Sequence, residues 1–408
     1  MQSDDGRVNS LRAAHPTWSA PAAAFALNAA LPRVARAEND VLYMDDRHRC
    51  IDLFCGHGSV WLGHGNQEIV ARVSEQLKGA WNTGGLPTAS AAEAAQLIER
   101  LFPSSHYAAA LYSTGMEAAE FAIRVARVAT GRLGVVGFEG SMHGKSMATA
   151  YLGWDNRDGL RLPELHRLPF VQTASENQIL DQLRQVLSSG GISAVFVEPI
   201  QGSNGGRAAS PAFYGHMVEM CREFGVVSIF DEILSGFYRT GVPFCFTEIG
   251  GVPDVVLIGK SMGNGFPVSG VVLNKRISIE SRMLPGSTFA GNPLATAAVA
   301  ATLNTMRSMP LARMVAAIEQ VITAKLCPLR EVGVAVRGRG AMWILELPIG
   351  QDVREIVARC YGRGVLVGAT GRQIRVLPAA TIDRANLELA CSIIGEQILA
   401  VIHGRGTA

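Results

Sequence analysis

The chain has 408 residues, 48% hydrophobic and 18% charged, and single cores stop growing near ~250–300 residues, so a large domain with a smaller companion is expected. Its net charge of +2 with histidines neutral supplies neither the basic footprint of a nucleic-acid partner nor an acidic tail. The apolar runs are short, Val255–Ile258 among them, against the ~20 residues of a spanning helix, so no membrane partner is expected either.

The opening MQSDDGRVNS has no basic stretch followed by an apolar one, and no secretory signal is read there. Residues 1–35, Ala- and Pro-containing, predict an arm with some helix. Val41–Met44 and Cys50–Phe54 read as strands around the turn at 45–48. Asn66–Gly79 reads as an amphipathic helix, with Ile69, Val70, Val73 and Leu77 at helical spacing. A second helix, Ala91–Leu101, stops before Pro103. The seven cysteines, at 50, 55, 221, 245, 327, 360 and 391, form no CxxC pair. That spread predicts reduced thiols in a cytoplasmic protein, with no disulfide frame and no metal site.

From Ala109 onward short apolar runs alternate with helical stretches: Ala109–Tyr112, Leu133–Phe138, Ala194–Val197, Val226–Phe230, Val255–Ile258 and Gly270–Leu273. The pattern predicts a largely parallel sheet covered on both faces. Such sheets bind ligands at the carboxyl ends of their strands. Asn292–Met309 is Ala-rich and reads as a long helix leaving the sheet. After it come a helix, strands near Val334–Val336 and Met342–Leu347, a helix at Val353–Arg363, a strand near Ile374–Leu377 and a closing helix. The expected organisation is an arm over 1–50 that joins the small domain, a large domain over 51–305 and a small α+β domain over 306–408.

Three stretches carry chemistry. Lys260 follows the run Val255–Ile258 inside GKSMGNGFPVSG, where Gly263, Gly265 and Pro267 make a structured turn rather than a helix surface. Asp231 closes the run Val226–Phe230 and Glu232 follows it. A carboxylate desolvated at a strand end needs a partner with positive charge; taken alone, Asp231 reads as readily as a helix cap or an ion pair with a nearby arginine as it does as a functional group. One amine and one such carboxylate are what pyridoxal 5′-phosphate (PLP) requires, the first for a Schiff base and the second to keep its pyridine nitrogen protonated. The run 113–118, Ser-Thr-Gly-Met-Glu-Ala, opens a helix whose N-terminal amides suit a phosphate dianion.

The ordered motifs STGMEAAEFAIRVAR, GSMHGKS, VEPIQG, FDEILSGFYRTG, GKSMGNGFPVSG, STFAGNPLATAA and IRVLPAATI resemble those of the class III aminotransferases, and the earlier IDLFCGHGSVWLGHGN is similar to that family too. The resemblance runs from about Pro32 to the last helix. It implies a type I PLP-dependent transferase fold, an α/β architecture with a mostly parallel seven-stranded sheet and a smaller α+β domain, assembled as a homodimer with shared active sites. Lys260 would be the Schiff-base lysine and Asp231 the pyridinium partner, with Ile233 on one ring face. Thr114, Gly115 and the amide of Met116 would hold the phosphate, completed by Thr288 of the other subunit. Glu198 would lie near the cofactor's polar edge, and Arg375 would bind a substrate carboxylate.

Four positions depart from the family's usual pattern. Met142 stands where an aromatic ring commonly stacks on the cofactor; a thioether packs on an aromatic face for about 0.3–1.5 kcal/mol, and His143 is expected to share the stacking. Lys145 replaces an arginine and offers a point charge instead of a bidentate fork. Leu234 and Ser203 replace a glutamine and a glutamate. Without the latter, Arg375 lacks its usual acidic partner. Lys145 and His57 are expected at the other end of the substrate from Arg375; the structural alternative ties Arg375 to a main-chain turn.

The activity implied is transamination between an amine or amino-acid donor and a keto-acid or other carbonyl acceptor, with Lys260 as aldimine-forming residue and general base. An aminomutase or racemase of the same fold is the alternative, and a non-catalytic scaffold is the second.

Overall fold

Apolar runs that lack the polar/apolar alternation of a half-exposed strand can only be buried on both faces. The structure, a computed structural model, describes residues 33–154, 162, 164–248, 251–280, 283 and 286–404. The chain forms two compact units, one of residues 67–310 and one of the segments up to Asn66 and from Leu311.

The smaller unit begins with β1 (Val34–Glu38), β2 (Val41–Met44) and β3 (Arg49–Asp52), joined as an antiparallel meander. The expected arm over 1–35 falls mostly outside the described residues; its described end leads into β1, a strand rather than a helix.

The larger unit starts with helices α1 (Gln67–Leu77) and α2 (Ala89–Glu99). Its seven strands are β4 (His106–Tyr112), β5 (Gly134–Phe138), β6 (Leu165–Leu168), β7 (Ile192–Val197), β8 (Val227–Asp231), β9 (Val255–Gly259) and β10 (Ser269–Asn274). They lie in the order β4-β10-β9-β8-β7-β5-β6. Strands β5 to β9 run parallel, and β10 is antiparallel to both of its neighbours, β4 and β9. The two edge strands depart from the apolar-run rule: β6 places the half-buried His166 and Arg167 between two buried leucines, and β4 is half-buried along most of its length.

Helix α3 (Gly115–Thr130) lies on the sheet, with Phe121, Ala122 and Val125 buried in one cluster with Val135, Phe196, Ile229 and Leu257. Each fully buried aliphatic or aromatic side chain contributes about 1.5–3 kcal/mol. A capping box between Thr114 and Glu117 starts the helix, and Gly131 in the left-handed conformation ends it. The short α4 (Met147–Tyr151), α5 (Glu176–Leu187), α6 (Pro211–Glu223) and α7 (Pro293–Arg307) follow, with α7 packed on α1 and α2.

The small unit resumes with α8 (Leu311–Leu326), the hairpin β11 (Ala335–Arg339) and β12 (Met342–Glu346), α9 (Val353–Gly362), β13 (Val365–Leu366), β14 (Gly368–Thr370), β15 (Gln373–Val376) and α10 (Arg384–Gly404). Strand β13 pairs in parallel with β3, which ties residues on either side of the large unit into one sheet. The amides of Ile51 and Leu53 donate to the carbonyls of Gly364 and Leu366, and that of Leu377 to the carbonyl of Leu53, so the early segment 51–53 is anchored by the C-terminal third. Helix α10 is long and apolar enough to cross a membrane by length and composition, a candidate that the short sequence runs did not suggest. Leu387, Cys391, Ile394 and Ile398 are buried, and the helix packs on α8 and α9. All seven cysteines are free thiols.

The register of β8 against β9 is fixed at their far end by Asp254. Its Oδ2 accepts from the Ser228 amide and hydroxyl, each at 2.9 Å, and both carboxylate oxygens pair with Arg276 beyond β10. Breaking a buried pair by removing one partner costs about 3–5 kcal/mol. Because Arg276 is partly exposed, Asp254→Ala is expected to lie near the lower end, about 3 kcal/mol. It should appear as a lowered unfolding midpoint in urea, whereas Ser228→Ala should lose less than half as much.

Candidate active site

Strands β4, β5, β7, β8 and β9 point the same way, so the residues that follow them leave one edge of the sheet. Asp231 is the last residue of β8 and is paired with Leu257 of β9. The next amide, of Glu232, continues the ladder to the Leu257 carbonyl at 3.0 Å. Lys260 comes three residues beyond Leu257, half-buried, at the start of a single 3₁₀ turn over Lys260–Gly263. Its φ is +41°. A left-handed conformation costs a non-glycine residue about 1–2 kcal/mol and is characteristic of positions held for function.

Asp231 is 5% exposed. Its Oδ1 accepts from the Ile233 amide at 3.1 Å, and its Oδ2 lies 2.9 Å from Nδ1 of the buried His143. Against an ionised carboxylate, which only accepts, this contact uses the Nδ1–H tautomer of His143. This makes His143 the partner of Asp231, where the sequence allowed an arginine and gave His143 a stacking role. The histidine comes from the loop after β5, 88 residues before the aspartate. The one signal that pointed to it was its place beside Met142 in GSMHGKS.

Glu198 follows β7 and turns back on the same loop: its carboxylate accepts from the amides of Met142 at 2.8 Å and Gly202 at 3.3 Å. Burial, aided by the nearby charge of Asp231, pushes its pKa up to about 7 despite His143 and the two amides. Glu232 is fully buried but points elsewhere. It accepts from the Ser235 hydroxyl at 2.6 Å and the Phe246 amide at 2.8 Å, and burial raises it to about 7 as well.

Ile233 joins two strand ends. A Cβ placed on Gly115 would come within 2.9 Å of its Cδ1, and one on Gly259 within 3.3 Å of its Cγ2. Glycine at both positions lets Ile233 pack against the start of α3 and the end of β9 together. Thr114, the N-cap of α3, accepts from the Glu117 amide and donates to the Glu117 carboxylate at 3.1 Å, so its hydroxyl is occupied by the capping box. The amides of Gly115 and Met116 have no acceptor among the described residues. Gly144, with φ +143°, brings the His143 loop to within contact of Met116.

Thr288 is exposed, and its carbonyl accepts from the Asn82 side chain at 3.0 Å. Lys145 is exposed in the turn before α4. In the small unit, Arg375 on β15 is 7% exposed and its Nη2 lies 3.0 Å from Nδ1 of His57. His57 therefore meets Arg375 directly instead of standing at the opposite end of a substrate. Burial pulls the guanidinium down to about 10, still charged at neutral pH, and no carboxylate among the described residues pairs with it.

The sequence matches the family described as Aminotransferase class-III over residues 25–398. The chain belongs to the class III aminotransferases. Among curated relatives it is 31% identical over 406 residues to the 2-aminoadipate transaminase of Pseudomonas putida, covering 91% of this chain and 96% of that protein. It is likewise 31% identical to the 5-aminovalerate aminotransferase of Pseudomonas aeruginosa, covering 88% and 92%. In fold it is similar to the PLP-bound amine transaminase from an uncultivated Pseudomonas species, with a TM-score of 0.84, 24% identity and coverage of 95% and 98%. This aminotransferase is a PLP-dependent enzyme, and its residues fit that cofactor. The unpartnered amides at the start of α3, the glycine-lined flank of Ile233, and the buried Ser261 hydroxyl and His143 Nε2 without hydrogen-bond partners surround the strand ends that carry Lys260 and Asp231.

The two buried acids can be told apart in this aminotransferase. Glu232 has a folded pKa raised above its unfolded value of about 4.5, so its contribution to stability is complete below that value and is lost as pH rises through about 7. Glu232→Gln keeps an acceptor for the amides and a donor for Ser235. The variant should retain bound cofactor and lose less stability than the wild type between pH 5 and pH 8, as read from thermal midpoints across that range.

Proposed function

We propose that this aminotransferase acts on substrates read by their carboxylate, exchanging an amino group between an amino acid and a keto acid. The observation that carries the reading is Arg375, a buried guanidinium with no acidic partner among the described residues. A buried cation left this way is stabilised when an anion arrives, and a planar carboxylate matches its fork. The relatives named for 2-aminoadipate and 5-aminovalerate are consistent with such a substrate class.

Bound at the strand ends, PLP supplies the electron sink that acidifies a C–H bond beside the donor nitrogen. Lys260 would hold the cofactor through its amine and, once freed, would take that proton on Nζ and return it to the cofactor carbon within the same half-reaction, the keto acceptor reversing the steps. Asp231, oriented by His143 and the Ile233 amide, would keep the ring nitrogen protonated. The amides of Gly115 and Met116, at the positive end of α3, would bind the phosphate, and Ile233 would press on the ring. Glu198 holds Met142 and the His143 loop in place.

A homodimer completes the proposal. Thr288 is exposed beside Phe289, and Asn82 links it to a loop on which Trp81 and Leu86 are exposed too. Large apolar side chains grouped on a surface mark an interface. A second subunit is the occupant that would bring its Thr288 to this chain's phosphate site.

Two outcomes test the assignments. Asp231→Asn is expected to lower kcat by at least a hundredfold while the protein still folds and binds PLP, because a neutral amide cannot hold the ring proton. Near wild-type turnover would remove Asp231 from the site. Arg375→Ala is expected to raise KM for a keto acid at least tenfold, since hydrogen bonds to charged groups contribute about 1.5–3 kcal/mol. A much smaller change is expected for an amine that lacks a carboxylate. Equal losses for both, with a lowered thermal midpoint, would make Arg375 structural.

A further inference from the structure

We propose that His57 sets the substrate specificity of this enzyme by holding Arg375 through an uncharged acceptor, which leaves the guanidinium oriented but un-neutralised for a carboxylate. The inference rests on the reading of Arg375 as the carboxylate anchor. A guanidinium has only donors, so the 3.0 Å contact from Arg375 Nη2 to His57 Nδ1 requires a lone pair on Nδ1. In this arrangement the imidazole is neutral and carries its proton on Nε2. The remaining donors of Arg375 include Nε, which is buried without a hydrogen-bond partner.

The surroundings hold this pair in place. The Phe54 ring meets His57 edge-on with centroids 4.3 Å apart, and Arg375 Cζ lies 6.0 Å from the same ring. On β14, a Cβ at Gly368 would collide with the Phe54 ring at 2.6 Å and touch Arg375 Nε at 3.5 Å, so glycine there makes room for both. Asp52 Oδ1 accepts from the amides of Phe54 at 2.9 Å and Cys55 at 2.8 Å, which fixes the start of the turn. Within that turn Cys55, Gly56, His57 and Gly58 all have positive φ, from +46° to +80°. Two non-glycine residues in the left-handed region are a backbone cost that the fold maintains in order to place the imidazole.

The choice of residue matters for exchange. A carboxylate at position 57 would form a charge-assisted pair that a substrate would have to break. The imidazole satisfies one donor with an uncharged acceptor, and an incoming carboxylate replaces that bond by a stronger one. His57 thus biases the pocket toward anionic substrates without contributing a charge.

The experiment compares His57→Asp with His57→Asn. Both place an oxygen where Nδ1 stands, both tolerate a positive φ better than most residues, and they differ in charge. The readout is the ratio of kcat/KM for a carboxylate-bearing donor to that for a carboxylate-free amine, together with the affinity of glutarate by calorimetry on the holoenzyme. His57→Asp is expected to lower the ratio and the glutarate affinity at least tenfold, the scale of one hydrogen bond to a charged group. His57→Asn should bring both back to within about threefold of wild type. In an Arg375→Ala background the Asp substitution should add no further loss. If the Asp variant fails to fold, His57→Glu is the second carboxylate variant, with the same expectation. Equal losses in the Asp and Asn variants, or an unchanged ratio in the Asp variant, would overturn the inference. An unchanged ratio in Arg375→Ala would instead overturn the carboxylate-anchor reading on which it rests.

Discussion

The site depends on one backbone relationship, the parallel register of β8 with β9 that sets Asp231 beside Leu257. Side chains alternate along a strand, so a slip of one residue would turn Asp231 from one face of the sheet to the other. The pairing continues through the Glu232 amide, and the chain of β9 ends two residues later at Gly259. Lys260 is therefore delivered to the same edge as the aspartate by the sheet itself. The far end of both strands is held by the buried Asp254 and Ser228 and the partly exposed Arg276.

Asp231, Glu198 and Glu232 are buried close to the strand ends that carry Lys260, and their partners give them different tasks. Asp231 is bonded to an imidazole N–H and one amide. Glu198 receives two loop amides and keeps its carboxyl near neutrality. Glu232 is enclosed by Ser235 and the chain around Phe246. Burial alone raises a carboxyl pKa, and hydrogen bonds to the charged form lower it. The partner set, more than depth, distinguishes the acid that faces the site from the one that braces the loop behind it.

The small unit solves a different problem. It buries a cation on β15 that has no counter-ion among the described residues, beside a strained turn from Cys55 to Gly58. Buried charges are ordinarily paired. An unpaired one, held by a neutral ring and an aromatic neighbour, is an arrangement that a bound anion improves. The large unit holds Lys260 and Asp231, and the small unit holds Arg375 and His57.

The sequence by itself determined the fold class and the principal chemistry. Largely apolar runs identify strands buried on both faces, and Lys260 and Asp231 stand at the ends of two of them because charged residues are kept out of those strands' interiors. The same rule passed over β6, whose edge position leaves His166 and Arg167 half-buried between two leucines. Which groups meet is a property of the folded chain. His143 reaches Asp231 across 88 residues and His57 reaches Arg375 across 318. The fold also commits the Thr114 hydroxyl to Glu117, leaving the amides of Gly115 and Met116 as the open donors of α3. Sequence periodicity records which face of an element is buried. A contact between residues distant in the chain depends on strand order and loop path, and neither leaves a local pattern.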